Sequence, residues 1–270
     1  MGKITQILIY KTRNKIFWRR LLAVLTLIIS TGLLVIFTNF LSSAVMNKSV
    51  QKPAFSRDFT WKVSKSEVLG AKAELIQKSH PLPLTLKNWQ DKTNSSDYFD
   101  QITPTKVGYL IWSRFPVQVK IDKPTGMSEK QAQIWVNSIL EAVQEWSVYL
   151  PLQVVEQPEA DITIVRKAPP LQLSPQKIPR ARSALTTFEL YTTNNVLSHR
   201  FRILLSPSQA GEYVQASARH ELGHALGIWG HSPLQTDVLY FSQVRNPPTI
   251  SARDVNTLKR IYEQTTNLGW

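Results

Sequence analysis

The sequence has no cysteine among its 270 residues. That absence excludes disulfide bonds, zinc sites built from thiolates and a cysteine nucleophile. Acidic residues are also scarce, at 19 against 32 lysines and arginines, which gives a formal net charge of +13. Methionine occurs only three times, never after Met127, and histidine only five times. Thiol chemistry of every kind is therefore ruled out for this chain.

The positive charge is concentrated just before a long apolar run. Residues 1–47 hold six basic residues and no acid, and no charged residue occurs from Leu21 to Val45. A helix of about 20 apolar residues spans the hydrocarbon core of a bilayer, and basic residues before it favour a cytoplasmic N-terminus. The sequence therefore predicts a cytoplasmic basic segment (1–20) and a transmembrane anchor (21–46). The rest of a single-pass protein would then face the periplasmic or extracellular side. The alternative is a cleavable signal peptide ending near Ala44.

The remainder of the chain divides into a polar segment and a patterned domain. Residues 47–103 contain clusters of Asn, Ser, Asp and Pro without periodicity, which predicts a linker. Residues 104–270 alternate strand and helix patterns, which predicts an α+β domain. The expected strands are 116–121, 152–155, 161–165, 184–191 and 201–205. One helix should begin at a capping box in SEKQ (128–131), a second should run from about Gly211 to Gly227, and a third should begin at the capping box of Ser251 and Asp254.

The stretch RHELGHALGIWGHS (219–232) carries the strongest chemical signal in the sequence. Residues four apart share a helix face, so His220 and His224 can present two imidazoles to one metal ion. Glu221 lies between them but points elsewhere, which suits a base that acts on metal-bound water. Catalytic zinc needs three protein ligands and one open position. The motif therefore predicts a Zn²⁺ site that still requires a third ligand.

The third ligand is expected downstream of the helix. Gly227 can adopt the left-handed conformation that ends a helix and sends the chain back, and His231 follows four residues later. Asp237 is the competing candidate, because it lies six residues beyond His231. We favour His231, since imidazole suits zinc well, and expect Asp237 to fix a turn through hydrogen bonds to the backbone. The other two histidines, His80 and His199, are expected to be ordinary surface or loop residues.

HELGHALG followed by a histidine resembles the metzincin zinc proteases, in particular the matrixin branch. The resemblance extends to WSVYLPLQVVEQPEADITIV (146–165) and SARDVNTLKRIY (251–262), so it covers about residues 105–270. It implies a twisted five-stranded sheet with three helices and a zinc-dependent endopeptidase that hydrolyses peptide bonds. By the same resemblance His220, His224 and His231 would be zinc ligands and Glu221 the catalytic base. Strand 184–191 would be the edge strand that pairs with a peptide or protein substrate.

The sequence departs from the matrixin pattern at several positions. Three residues separate Gly227 from His231 where the family has two, and Gly230 is expected to absorb the extra residue. Leu239 stands where the family has a methionine beneath the metal, a swap that preserves volume. The Pro-x-Tyr wall of the specificity pocket is missing, and the scarcity of acids between 160 and 211 predicts no structural calcium or second zinc. The cysteine switch of the family cannot operate.

Three functions compete on these residues. The first is a membrane-anchored zinc endopeptidase, a metalloprotease whose hydrolase domain faces away from the cytoplasm. The second is a zinc-binding domain without catalytic activity, tethered to the membrane and used for interaction. The third is a polyanion binder that uses the basic segment 177–182 (KIPRAR). That segment is short and has no interleaved aromatic residues, so we expect no nucleic-acid partner. The sequence makes no prediction about oligomeric state.

Overall fold

The computed structural model describes residues 77–173 and 177–270, which form an α+β fold around one five-stranded mixed sheet. The strands are β1 (Lys78–Ser79), β2 (Val117–Asp122), β3 (Leu152–Val154), β4 (Ile162–Arg166), β5 (Gln172–Leu173), β6 (Pro179–Arg180), β7 (Ala184–Thr193), β8 (Val196–Leu205) and β9 (Thr265–Thr266). The helices are α1 (Leu84–Lys87), α2 (Glu129–Ser147), α3 (Glu212–Ala225) and α4 (Ala252–Tyr262), with a 3₁₀ turn at Phe99–Gln101. The predicted five-stranded sheet and α+β fold are confirmed, and the described residues contain four helices rather than the predicted three, because the short helix α1 was not predicted.

The sheet has the strand order β3-β2-β4-β8-β7. Strands β3, β2, β4 and β8 run parallel, and β7 pairs antiparallel with β8. Asn194 and Asn195 connect β7 to β8 with positive φ angles of 51° and 63°, as a two-residue hairpin turn of type I′ requires. Strand β7 is the last strand of the sheet, and no other strand of the described residues pairs with its outer side. That side is therefore an edge of the sheet.

One face of the sheet forms the floor of the core. Its buried side chains alternate along three strands, as the period of two requires: Val117, Val119, Ile162, Ile164, Phe201, Ile203 and Leu205. Helix α3 packs against β7 and β8, while α2 packs against α3 and β3. The helix that carries the metal motif is therefore supported directly by the edge hairpin of the sheet.

Both predicted capping boxes are confirmed. At the start of α2, Ser128 accepts from the Gln131 amide and the Gln131 side chain accepts from the Ser128 amide. Ser251 and Asp254 repeat this arrangement at the start of α4. The buried face of α2 consists of Ala132, Trp135, Ile139, Ala142, Val143 and Trp146.

The described part of the segment assigned to a linker, residues 77–103, packs onto the domain. Leu86, Tyr98 and Ile102 are all buried in the core. The Tyr98 hydroxyl donates to Asp254 Oδ1 at 2.5 Å, and its amide donates to Thr257 Oγ1 at 3.0 Å, both on α4. The difference from the prediction has a simple cause: isolated apolar residues in a polar segment produce no periodic pattern, yet each one fills a gap in the core.

No helix within 77–173 and 177–270 is long and apolar enough to cross a membrane. The predicted anchor at 21–46 lies outside the described residues and stays a prediction.

Candidate metal centre

The metal motif occupies the last two turns of α3 and the loop that follows. The helix ends at Ala225, and Gly227 has the positive φ of 127° that reverses the chain. The Ile228 amide donates to the Gly223 carbonyl at 3.0 Å, and the Gly227 amide donates to the His224 carbonyl at 3.1 Å. These two bonds define the Schellman motif. The predicted glycine turn is thus confirmed, and it directs the following residues back towards the helix.

His220 and His224 are each fixed by a hydrogen bond from Nδ1. His220 Nδ1 bonds the Val238 carbonyl at 2.7 Å, and His224 Nδ1 bonds the Ile228 carbonyl at 2.8 Å. A carbonyl only accepts, so each Nδ1 carries the proton and each neutral ring keeps its lone pair on Nε2. The two Nε2 atoms lie 3.1 Å apart. Backbone carbonyls in the second shell therefore orient both nitrogens towards one point.

His231 completes the cluster. Its ring centroid lies 5.4 Å from that of His220 and 4.8 Å from that of His224. One potential ligand atom from each of the three residues lies within 4.8 Å of the others. The structure thus brings together the three histidines that the sequence predicts as ligands.

The chemistry of these donors fits a metal cation. Two Nε2 lone pairs at 3.1 Å repel each other unless a positive charge lies between them. Burial, with His220 and His231 close by, lowers the pKa of His224 well below its usual range, and burial lowers the pKa of His231 to about 3. Protonation of His224 or His231 is therefore an unfavourable way to supply that charge. Zinc bound tetrahedrally at about 2.0–2.1 Å would separate two nitrogens by about 3.3 Å, close to the observed spacing.

Gly230 accommodates the extra residue before His231, although by close approach rather than by an unusual φ. A Cβ at Gly230 would lie 2.3 Å from the Gln101 carbonyl oxygen. Gly230 also forms an antiparallel bridge with Ile102, and the Thr103 amide donates to the Trp229 carbonyl at 3.3 Å. Residues 101–103, which precede the predicted domain boundary, therefore hold the loop that carries His231.

Glu221 is buried beside the histidines and is held by the edge strand. Thr186 on β7 donates from Oγ1 to Glu221 Oε2 at 2.5 Å, and both side chains are buried. Burial raises the pKa of the Glu221 carboxyl, and His220 and the Thr186 hydrogen bond act in the opposite direction. Sequence reasoning missed Thr186, because a contact between residues 35 apart leaves no local pattern. The only indication of Thr186 in the sequence was its position on strand 184–191, which was expected to border the site.

A tight turn from Asp237 to Tyr240 packs against the histidines. The Tyr240 amide donates to the Asp237 carbonyl at 3.1 Å, and the turn presents the Val238 carbonyl to His220. Leu239 is fully buried, and its Cδ2 would lie 2.6 Å from a Cβ at Gly223. Leu239 thus packs against the helix that carries the candidate ligands His220 and His224.

Asp237, the competing ligand, is fully engaged elsewhere. Its carboxylate accepts from Ser232 Oγ at 2.5 Å, Ser251 Oγ at 2.8 Å and Arg253 Nε at 3.0 Å. It belongs to no cluster of potential metal ligands within the described residues. Asp237 ties the turn to the start of α4, so its hydrogen bonds run mainly to side chains rather than to backbone as expected.

The remaining histidines lie outside the cluster. The expectation that His199 is a surface or loop residue is wrong: it lies on β8, is 3% exposed and stacks on Trp112 at 4.0 Å. Burial lowers its pKa to about 3. His80 is partly buried and stacks on Trp270 with ring centroids 4.4 Å apart. Both histidines pack against aromatic rings.

Comparison with known protein families and with curated proteins finds no match to this chain.

Proposed function

We propose that this protein is a zinc-dependent peptidase of the metzincin type that its motif resembles. The observation that carries the proposal is the site itself. Two Nε2 atoms 3.1 Å apart, with both Nδ1 atoms bonded to carbonyls, converge with a third histidine beside a buried carboxylate. Three histidines leave one position of a tetrahedral zinc site open for substrate or water.

The ligands would be His220, His224 and His231. When bound, zinc would act as a Lewis acid that polarises a carbonyl and lowers the pKa of water. Glu221 would accept a proton from the attacking water as the water oxygen adds to the carbonyl carbon. It would then donate that proton to the amine nitrogen as the C–N bond breaks. The result is one carboxylate product and one amine product from each peptide bond.

Thr186 and β7 would position the base and the substrate for this reaction. The Thr186 hydroxyl fixes one oxygen of Glu221 at 2.5 Å, which leaves the other oxygen to exchange the proton. Strand β7 ends the sheet, so an extended peptide can pair with its outer side. A peptide on this edge lies next to Glu221, because Thr186 joins the strand to the base.

The predicted anchor (21–46) completes the proposal, with residues 77–270 on the extracytoplasmic side of the membrane. The basic residues before the apolar run support this orientation.

The proposal is tested by measuring zinc content and peptide hydrolysis on the same preparations of full-length protein in detergent. Wild type should hold about one zinc and hydrolyse a peptide library, and a chelator should abolish hydrolysis. Glu221→Gln should abolish hydrolysis while zinc remains near the wild-type level, because the base is lost and the ligands stay. Zinc binding without any hydrolysis by wild type would instead support a non-catalytic zinc domain.

A further inference from the structure

Side-chain hydrogen bonds cover the face of α3 that carries Glu221 on the N-terminal side of this residue. Tyr213, Ser217 and Glu221 follow at four-residue spacing, so they lie on one helix face. The Tyr213 hydroxyl donates to the Arg245 carbonyl at 3.1 Å, and the Ser217 hydroxyl donates to Gln209 Oε1 at 3.3 Å. Since an α-helix rises about 1.5 Å per residue, Ser217 lies about 6 Å from Glu221 along the axis. The cover therefore begins about one turn before the base.

A glutamine connects this cover to the edge strand. Gln243 Nε2 donates to Gln209 Oε1 at 3.3 Å, and the Ser183 hydroxyl donates to Gln243 Oε1 at 3.2 Å. Ser183 directly precedes β7, and Gln243 follows the turn beneath the histidines. We call Ser183, Gln209, Ser217 and Gln243 the polar bridge. It connects α3 and the residues after the Asp237–Tyr240 turn to the residue that precedes β7.

A cationic side chain lies at the same end of β7. Arg182 precedes β7 by two residues, and its Nε donates to Gln172 Oε1 at 3.2 Å. Ser183, the next residue, belongs to the polar bridge, and Thr186, four residues after Arg182, donates to Glu221. Arg182 therefore lies at the bridge end of the strand, beyond the point at which β7 reaches the base.

The distance between the base and the polar bridge limits what can bind there. Thr186 marks the point at which β7 reaches Glu221, and Ser183 lies three residues before it. A peptide paired with β7 advances about 3.3 Å per residue, so about 10 Å is available along the strand and about 6 Å along the helix. That space accommodates about two or three extended residues.

We propose that this peptidase removes short fragments, of about two or three residues, from the carboxyl end of its substrates, with Arg182 binding the terminal carboxylate. The inference rests on the proposed hydrolytic function. A peptide can pair with β7 in either direction, but only an antiparallel peptide places its carboxyl end at the start of the strand. Arg182 attracts a carboxylate there and repels the ammonium group that a parallel peptide would present. Water adds across the cleaved bond, giving a shortened chain and a short peptide.

The experiment uses full-length protein loaded with zinc and two N-acetylated peptides of one sequence, one with a free carboxyl end and one amidated. Mass spectrometry should locate cleavage at the second or third bond from the free carboxyl end. Amidation should lower kcat/KM by roughly ten- to a hundredfold, because a charge-assisted hydrogen bond is lost. Arg182→Gln should bring the ratio between the two peptides close to one. Arg180→Gln, the same charge loss at an exposed position of β6, is the control and should preserve the ratio.

A second variant tests the polar bridge. Replacing both Ser183 and Gln243 with alanine should move cleavage to bonds further from the carboxyl end. Equal cleavage of the two peptides, cleavage at internal bonds by wild type, or an unchanged ratio in Arg182→Gln would overturn the inference and leave hydrolysis standing. If no peptide is cleaved in a Glu221-dependent way, the proposed function fails and this inference fails with it. Zinc content and a thermal melt of each variant verify that the site and the fold are intact.

Discussion

Replacing Thr186 with valine tests the connection between the edge strand and the proposed base, Glu221. The Thr186 side chain is 3% exposed, and its hydroxyl donates to Glu221 Oε2 at 2.5 Å. Valine is close to threonine in shape but has no hydroxyl. The substitution therefore removes the side-chain donor from a buried carboxylate and changes the packing very little.

The magnitude follows from the charge on the acceptor. A hydrogen bond to a charged group contributes about 1.5–3 kcal/mol, so we expect a roughly ten- to a hundredfold fall in kcat/KM near the acid limb of the pH profile. The Thr186 hydrogen bond lowers the pKa of Glu221 against the larger effect of burial. Its loss raises that pKa, and because the base acts as a carboxylate, the acid limb should move to higher pH.

The assay is kcat/KM for peptide hydrolysis from roughly pH 5 to 9, with zinc content measured on each preparation. Thr186→Ser retains the hydroxyl and should restore most of the activity and the original acid limb. Thr187→Val is a matched control, because that hydroxyl bonds the Arg202 carbonyl at 3.4 Å and not the base. An acid limb that stays in place in Thr186→Val, or a loss of activity explained by lost zinc, would refute the reasoning.

Three further predictions concern the base, the third ligand and the turn. Burial raises the pKa of Glu221 in the folded protein. In metal-free protein its carboxyl therefore contributes to the free energy of unfolding below its unfolded pKa of about 4.3. That contribution is lost as the pH rises through the folded pKa. Metal-free Glu221→Gln should therefore melt higher than wild type at about pH 8 but not at about pH 4. His231→Ala should weaken zinc binding by more than about a hundredfold in a competition titration, whereas Asp237→Asn should retain zinc and lose about 1–3 kcal/mol in a denaturant melt. The opposite pattern would make Asp237 the ligand. Leu239→Met should lower the free energy of unfolding by under about 1.5 kcal/mol. Leu239→Asn should lower it by about 3 kcal/mol or more. Equal losses for the two variants would place Leu239 outside the core.

The elements that sequence predicts well are those determined by local interactions. The starts of α2 and α4 follow from capping boxes, whose donors and acceptors lie three residues apart. The end of α3 follows from Gly227, since a non-glycine residue rarely adopts its φ of 127°. The strands of the sheet follow from the period of two, although β7 and β8 extend beyond the predicted ranges to the Asn194–Asn195 turn.

The parts that sequence does not predict depend on contacts between distant residues. Leu86 and Tyr98 are single apolar residues in a polar segment, and only the assembled core shows that both are buried. His199 lies on the buried face of β8, two residues before Phe201, and the predicted strand began too late to include it. Gln243 and Ser183 are ordinary polar residues in the sequence, and they acquire a role only where α3, β7 and the turn meet.

The spacing of the third histidine shows why distance along the chain is a poor guide to distance in the candidate metal site. Three residues separate Gly227 from His231, yet His231 lies 4.8 Å from His224 between ring centroids. The extra length is taken up where Gly230 passes against Gln101, a contact that any side chain at position 230 would prevent. The geometry of the candidate ligands therefore depends on residues 101–103 as well as on the motif. A truncation that begins at residue 104 should lose zinc affinity although it contains the whole motif, and a metal titration of that fragment against the full chain would measure the loss.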